Sequence, residues 1–284
     1  MRNTVKRVLL FFLATPALVA AIVLFPEPNH LIFNLIVVMA AGLAGMEVLS
    51  VFRASGLGAQ GRMGIAFLCG ALLPAAATAR ALTDSSTEVV LGPAVVLVAA
   101  LLAGAAFTAK RGEFSRVLPA LSAYFFAAVY PGLFASYGPR ITELPYPTIL
   151  LVVFLLSVFL NDSLAYVTGM LFGGKSRAIL AVSPNKSLAG FAGGFIASIV
   201  VVLVAGAIAP RVFPGSVGAR VLFGAIIGAA TILGDLAESA LKRSADVKDS
   251  GNIIPGRGGV LDSADSPLYV APIFYYLYII IFVG

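Results

Sequence analysis

With 284 residues, 60% hydrophobic and only 11% charged, the chain has a mean hydropathy of +1.02, more apolar side chain than a soluble domain of this size can bury. That excludes a soluble enzyme and marks an integral membrane protein. The net charge of +6 does not point to nucleic acid, because the basic residues are scattered over many short loops; the single cysteine, Cys69, excludes a disulfide framework and a cysteine metal site.

A membrane helix needs roughly 20 mostly apolar residues. Nine candidate spans follow in chain order, at about 8–25, 31–52, 63–82, 89–109, 117–136, 146–160, 188–209, 219–238 and 267–283. The fold class expected is therefore all-α and polytopic. The first span follows a basic start and is expected to stay uncleaved, since its apolar stretch exceeds a usual signal core. His30, beside Pro26 and Pro28, reads as a short-loop residue. Glu47 lies inside the second span, where a carboxylate needs a partner or a water-filled cavity; it either lines a site or pairs with an arginine. Pro74 is expected to break the third span, with Arg80 near its end reaching the interface.

The charges orient the spans. One side collects Arg2, Lys6, Arg7, Arg53, Arg62, Lys110, Arg111, Arg116, Lys175, Arg177, Lys186, Lys242, Arg243, Lys248 and Arg257. The other holds only Arg80, Arg140, Arg211 and Arg220. That asymmetry puts the N-terminus and the charged loops in the cytosol and the C-terminus outside. Two regions result: N-terminal helices over 1–145 with about five spans, and a C-terminal region over 146–284 with cytosolic loops 161–187 and 239–266. No internal repeat is evident, which argues against an inverted-repeat transporter.

Two cytosolic constellations carry chemistry. Residues 161–190 begin with Asn161-Asp162, expected at a helix end or in a cavity. They continue through Gly173-Gly174-Lys175 and Ser183-Pro184-Asn185-Lys186-Ser187. Backbone N–H groups from Ser187 onward would open the seventh span and suit a phosphate; a serine-capped interfacial loop with snorkelling lysines fits equally well. The second constellation starts within the eighth span. Asp235, Ser239 and Lys242 stand at i, i+4 and i+7, one face of a continuing helix. Lys242-Arg243 and Lys248-Asp249 then lead into the turn Pro255 to Gly259, and Asp262 and Asp265 share one face of a new turn. A solvated loop would explain the basic residues but not Asp249, Asp262 and Asp265 beside Gly256, Gly258 and Gly259. Polyanion chemistry explains both: carboxylates for a divalent ion, basic side chains for phosphates, glycines for close backbone approach. Asp235 has an alternative in pairing with Lys242 or another basic neighbour.

At these residues the sequence resembles the phosphatidate cytidylyltransferases, or CDP-diacylglycerol synthases, whose signature runs S-x-x-K-R-x4-K-D-x-G-x3-P-G-H-G-G-x-x-D-R-x-D. Ser239, Lys242, Arg243, Lys248, Asp249, Gly251, Pro255, Gly256, Gly258, Gly259, Asp262 and Asp265 stand at matching positions. Gly234-Asp235-Leu236, Asn161-Asp162, Ala165-Tyr166, Gly169, Gly174-Lys175 and Ser183-Pro184 with Lys186-Ser187 also look like the family. The resemblance is specific over roughly 161–266. Three residues depart from it: Arg257 replaces a usual His, Ser263 a usual Arg, and Ala189 a common Glu. Arg257 can still hold phosphate but cannot shuttle a proton, and it could offset the arginine missing at 263.

The resemblance implies CTP plus phosphatidate giving CDP-diacylglycerol and pyrophosphate at the inner membrane of a cell, with the active site facing the cytosol. It implies Mg²⁺ held by Asp235 and Asp262, with Asp249 and Asp265 as ligands or just behind them, and it admits a second cation. Lys186, Lys242, Arg243, Lys248 and Arg257 would hold phosphate oxygens, Ser187 and Ser239 would donate hydroxyls, and Asp162, Lys175, Gly256, Gly258 and Gly259 would complete substrate binding. The partners implied are CTP, phosphatidate and the bilayer, with no nucleic acid; a homodimer is one form open to the chain. A CTP-dependent polyprenol kinase and a transporter of an anionic metabolite are the competing expectations.

Overall fold

A computed structural model describes residues 15–83, 114–174 and 180–284, with short pieces between 92 and 104. Every regular element among them is helical. A short apolar helix, α1 (Thr15–Leu24), precedes seven helices long and apolar enough to cross a membrane. These are α2 (Leu31–Ala54), α3 (Met63–Thr83), α4 (Phe114–Ile141), α5 (Pro147–Phe172), α6 (Leu188–Ile208), α7 (Val217–Ser244) and α8 (Leu261–Val283). The chain is thus a polytopic all-helical membrane protein. Most of the span expected at 89–109, and the start of the one expected at 8–25, lie outside the described residues.

Several boundaries differ from those expected. The sixth span does not stop at 160: α5 runs on to Phe172, so Asn161-Asp162 lies within it rather than at its end. Asn161 is buried and tied across the helices, and nothing in Asp162 to Phe172 breaks the i→i−4 ladder. The loops are correspondingly shorter, beginning at Gly173 in one case and covering 245–260 in the other. Pro74 does not break α3, which continues through it. Membrane helices tolerate such a proline because neighbours re-satisfy the freed backbone group. Arg80 pairs with Glu143 at 3.0 Å.

The chain forms two compact units. One comprises Met1–Glu143 with Leu241–Ala264; the other comprises Leu144–Ala240 with Asp265–Gly284. In the first, α2 and α3 approach at backbone distance through small residues. A Cβ on Gly70 or Gly45 would strike the carbonyl of Ala41 or Ala66, and one on Gly42 would stand 2.5 Å from the Phe67 ring. Small-residue seams of this kind let membrane helices gain dispersion contact where lipid offers no hydrophobic drive. A ladder of tilted rings, Phe52, Phe126, Tyr130 and Phe134, joins α2 to α4, where six residues around Pro131 relax into a π-helical turn.

In the second unit, α5 and α6 pack through Gly190, Gly193 and Gly194. A Cβ on Gly190 would sit 2.7 Å from the Ala165 carbonyl, and one on Gly194 as close to that of Asn161. Asn161 Nδ2 donates to Ser198 Oγ at 2.9 Å and to the Gly228 carbonyl at 3.2 Å, and Ser198 donates to the Ser157 carbonyl. One buried amide therefore ties α5, α6 and α7 together. Edge-to-face contacts among Phe154, Phe213, Phe223, Phe274, Tyr278 and Phe282 fill the far end, with Tyr278 donating to the Val212 carbonyl at 2.8 Å.

Candidate functional site

The helix α7 presents Asp235 and Ser239 one turn apart and runs on through Lys242 and Arg243 to Ser244, as the spacing predicts. Asp235 is half-buried. It pairs with Lys186, not with Lys242, and Ser239 Oγ stands 3.5 Å from its other oxygen. Lys186 precedes Ser187, whose hydroxyl accepts from the Gly190 N–H at 3.1 Å and caps α6. Lys186, one residue ahead of the α6 cap, thus meets the Asp235 carboxylate on α7. Asp162, also half-buried, lies in α5, and Lys175 lies outside the described residues. Glu238, which the sequence did not single out, is buried beside Ser239.

In the other unit, Lys242 donates to Asp262 Oδ1 at 2.6 Å, and the two side chains are only 14% and 5% exposed. Asp262 sits in the first turn of α8. Its Oδ2 accepts from Gly259 N at 2.6 Å, Ser250 N at 2.9 Å and Ser250 Oγ at 3.0 Å. The turn between begins at Ile254, whose carbonyl accepts from the Arg257 N–H at 3.1 Å. Pro255 and Gly256 occupy its centre, and Gly256 has φ +82°, a conformation that favours glycine. Arg257 is half-buried, while Arg243, Lys248 and Asp249 are exposed. Asp265 lies one turn beyond Asp262, buried, with Oδ1 accepting from the Ser266 N–H at 2.7 Å. Ser263 Oγ stands 3.4 Å from the Gly259 carbonyl.

Glu47 is the residue that local sequence patterns could not place. It is buried within α2 and pairs with no arginine among the described residues. Its Oε1 accepts from Val260 N at 2.9 Å; its Oε2 accepts from Leu261 N at 2.7 Å and Ser250 Oγ at 3.1 Å. The carboxylate therefore caps α8 from a helix more than 200 residues earlier, where the helix dipole favours negative charge. The glycines acquire a steric reason. A Cβ on Gly258 would lie 2.5 Å from Asp262 Oδ2, one on Gly251 2.6 Å from Glu47 Oε1, and one on Gly259 would collide with Glu47 Oε2 and Ser250 Oγ.

This changes what the turn can do. The sequence suggests glycines that let backbone approach phosphate, yet the N–H groups of Ser250, Gly259, Val260 and Leu261 are all engaged by carboxylates. Lys186 and Lys242 are each held by an aspartate, and Arg243, Lys248 and Arg257 add further positive charge. The oxygen donors are of the hard type that Mg²⁺ takes, and such an ion is commonly held by one or two carboxylates plus substrate phosphates. Among the described residues no three His, Cys, Asp or Glu side chains converge as a ready cage. Asp235 has the less committed carboxylate, whereas an ion at Asp262 would share Oδ1 with Lys242.

Comparisons with known proteins give the chain several relatives. Relatives include the phosphatidate cytidylyltransferase of Bacillus subtilis (strain 168), 40% identical over 153 residues, covering 53% of this chain and 55% of that protein. The phosphatidate cytidylyltransferase of Thermotoga maritima is 35% identical over 168 residues, with 58% and 61% covered. An Escherichia coli (strain K12) protein, described as the uncharacterized protein YnbB, is 36% identical over 170 residues, with 58% and 56% covered. The chain thus spans less than two thirds of the length of each of these relatives. The model of the cytidylyltransferase family, however, matches residues 5–281, nearly the whole chain. The chain belongs to the cytidylyltransferase family.

Proposed function

We propose that the chain is a phosphatidate cytidylyltransferase, converting CTP and phosphatidate into CDP-diacylglycerol and pyrophosphate. The observation that carries this reading is the pairing of lysines with aspartates, Lys186 with Asp235 and Lys242 with Asp262, within a chain of this family. A lipid phosphate approaching a triphosphate faces strong charge repulsion, so catalysis is mainly neutralisation and positioning. A phosphate oxygen of phosphatidate attacks the α-phosphorus of CTP; that P–O bond forms as the bond to the β-phosphate bridge breaks, and pyrophosphate leaves. Lys186, Lys242, Arg243, Lys248 and Arg257 hold phosphate oxygens, and Ser187 and Ser239 orient them through their hydroxyls. Release of the lysines from their aspartates is compensated by the incoming anionic phosphates. No covalent intermediate is needed.

For Mg²⁺ the proposed holders are Asp235 and Asp262, each acting together with substrate phosphates, with Asp249 and Asp265 as further ligands or just behind them; the ion would neutralise nucleotide phosphate charge and that of the departing pyrophosphate. Excess Lys and Arg on one side supports a cytosolic site and N-terminus in a cytoplasmic membrane, with nine spans in all. Label position tests the reading. Protein in detergent, given CTP labelled on the α-phosphate, should label phosphatidate-derived lipid; transfer of γ-label to a polyprenol, or uptake of an anion without CTP consumption, would replace the proposal with kinase or transporter.

A further inference from the structure

We infer that Glu47 is a positioning residue for the turn that carries Arg257 and Asp262, a role resting on the transferase reading above. Its side chain is 4% exposed, and its charge is met by α8's first N–H groups and by Ser250. Ser250 Oγ lies 3.1 Å from Glu47 Oε2 and 3.0 Å from Asp262 Oδ2, so its single proton is shared between the two carboxylates and links them. Gly251 and Gly259 both accommodate the Glu47 side chain, which flanks the turn on either side. Glu47 thereby holds the Ser250 side chain and the backbone at 260–261, the two anchors between which Pro255, Gly256, Arg257 and Gly258 lie. Burial of a carboxylate in a membrane helix is costly, and a structural tie alone would be met more cheaply by a neutral serine or asparagine. A full negative charge is suited to immobilising a segment that must bear an incoming polyphosphate.

Glu47→Gln tests this. An amide has one acceptor oxygen and would turn its NH₂ against a backbone N–H, so one or two charge-assisted hydrogen bonds are lost. That corresponds to a drop of about 10- to 100-fold in kcat. The KM values for CTP and phosphatidate should move far less, and Glu47→Asp should restore part of kcat. Leu49→Ala, a buried change in the same helix, serves as a stability control expected to keep wild-type kcat even with an equal loss of melting temperature.

A second readout needs no substrate. Tryptic cleavage after the half-buried Arg257, measured against cleavage after the exposed Lys248, should rise by about tenfold or more in Glu47→Gln, since cleavage tracks the opened population. Unchanged cleavage at Arg257 overturns the proposal whatever the activity. A kcat loss no larger than that of Leu49→Ala at matched stability also overturns it. A wild-type chain that consumes no CTP overturns the transferase reading instead, while proteolysis still decides the anchoring.

Discussion

Asp262 and Lys242 offer a quantitative test of how the turn is held. Asp262→Asn replaces a carboxylate that accepts four contacts, three on one oxygen and the Lys242 ammonium on the other. With the amide oxygen kept toward Ser250 and Gly259, its NH₂ faces the ammonium, and donor meets donor. Both side chains are well under a third exposed, so solvent screens little of the loss, and taking the carboxylate away from a buried ammonium costs on the order of 2–4 kcal/mol. Lys242→Met is milder at about 1–2 kcal/mol, because Asp262 retains Gly259 N and both donors of Ser250. The double variant removes the ammonium together with its clash. It should be less destabilised than the sum of the singles by about 1.5–3 kcal/mol. Thermal unfolding in detergent of all four proteins measures this coupling. Turnover should fall at least 100-fold in Asp262→Asn and stay low in the double, since stability is recovered but not the charges. Additivity within about 0.5 kcal/mol would refute the pairing as an energetic unit.

Other expectations follow from the same geometry. Asp235→Asn should abolish turnover while the protein still inserts and α7 remains folded; wild-type rates would reject its role. Gly259→Ala should lower stability and turnover together, because its methyl overlaps Glu47 and Ser250, and a silent Gly259→Ala would show that the turn yields easily. Arg257→His and Ser263→Arg should each reduce activity while the double retains it, if Arg257 compensates for the arginine missing at 263; additive losses would sink that idea. Asn161→Ala should destabilise by about 2–4 kcal/mol, leaving the Ser198 hydroxyl and the Gly228 carbonyl short of a donor, and a loss under about 0.5 kcal/mol on thermal unfolding would contradict its role as a tie.

Local spacing made part of the site legible. The i, i+4, i+7 pattern put Asp235, Ser239 and Lys242 on a continuing helix, Ser187 announced a helix start, and Pro255-Gly256 announced a tight turn. Pairing was a different matter. Sequence offered Lys242 or another basic neighbour as a partner for Asp235 without choosing between them; Lys186 holds Asp235 and Lys242 holds Asp262. Long-range choices between equivalent charges leave no periodic trace. Glu47 was visible only as an anomaly, a carboxylate in an apolar run, because its donors are backbone N–H groups more than 200 residues away. The length of α5 was hidden for a related reason. Asn161-Asp162 reads as an exit from the membrane, yet the amide is satisfied inside by Ser198 and the backbone of α7, so the helix continues to Phe172.

The most direct measurement is product formation by purified protein in detergent supplied with CTP, phosphatidate and Mg²⁺, with a chelated control. The account predicts CDP-diacylglycerol and pyrophosphate in equal amounts, both lost on chelation. Folded protein that binds CTP yet forms neither product would contradict it.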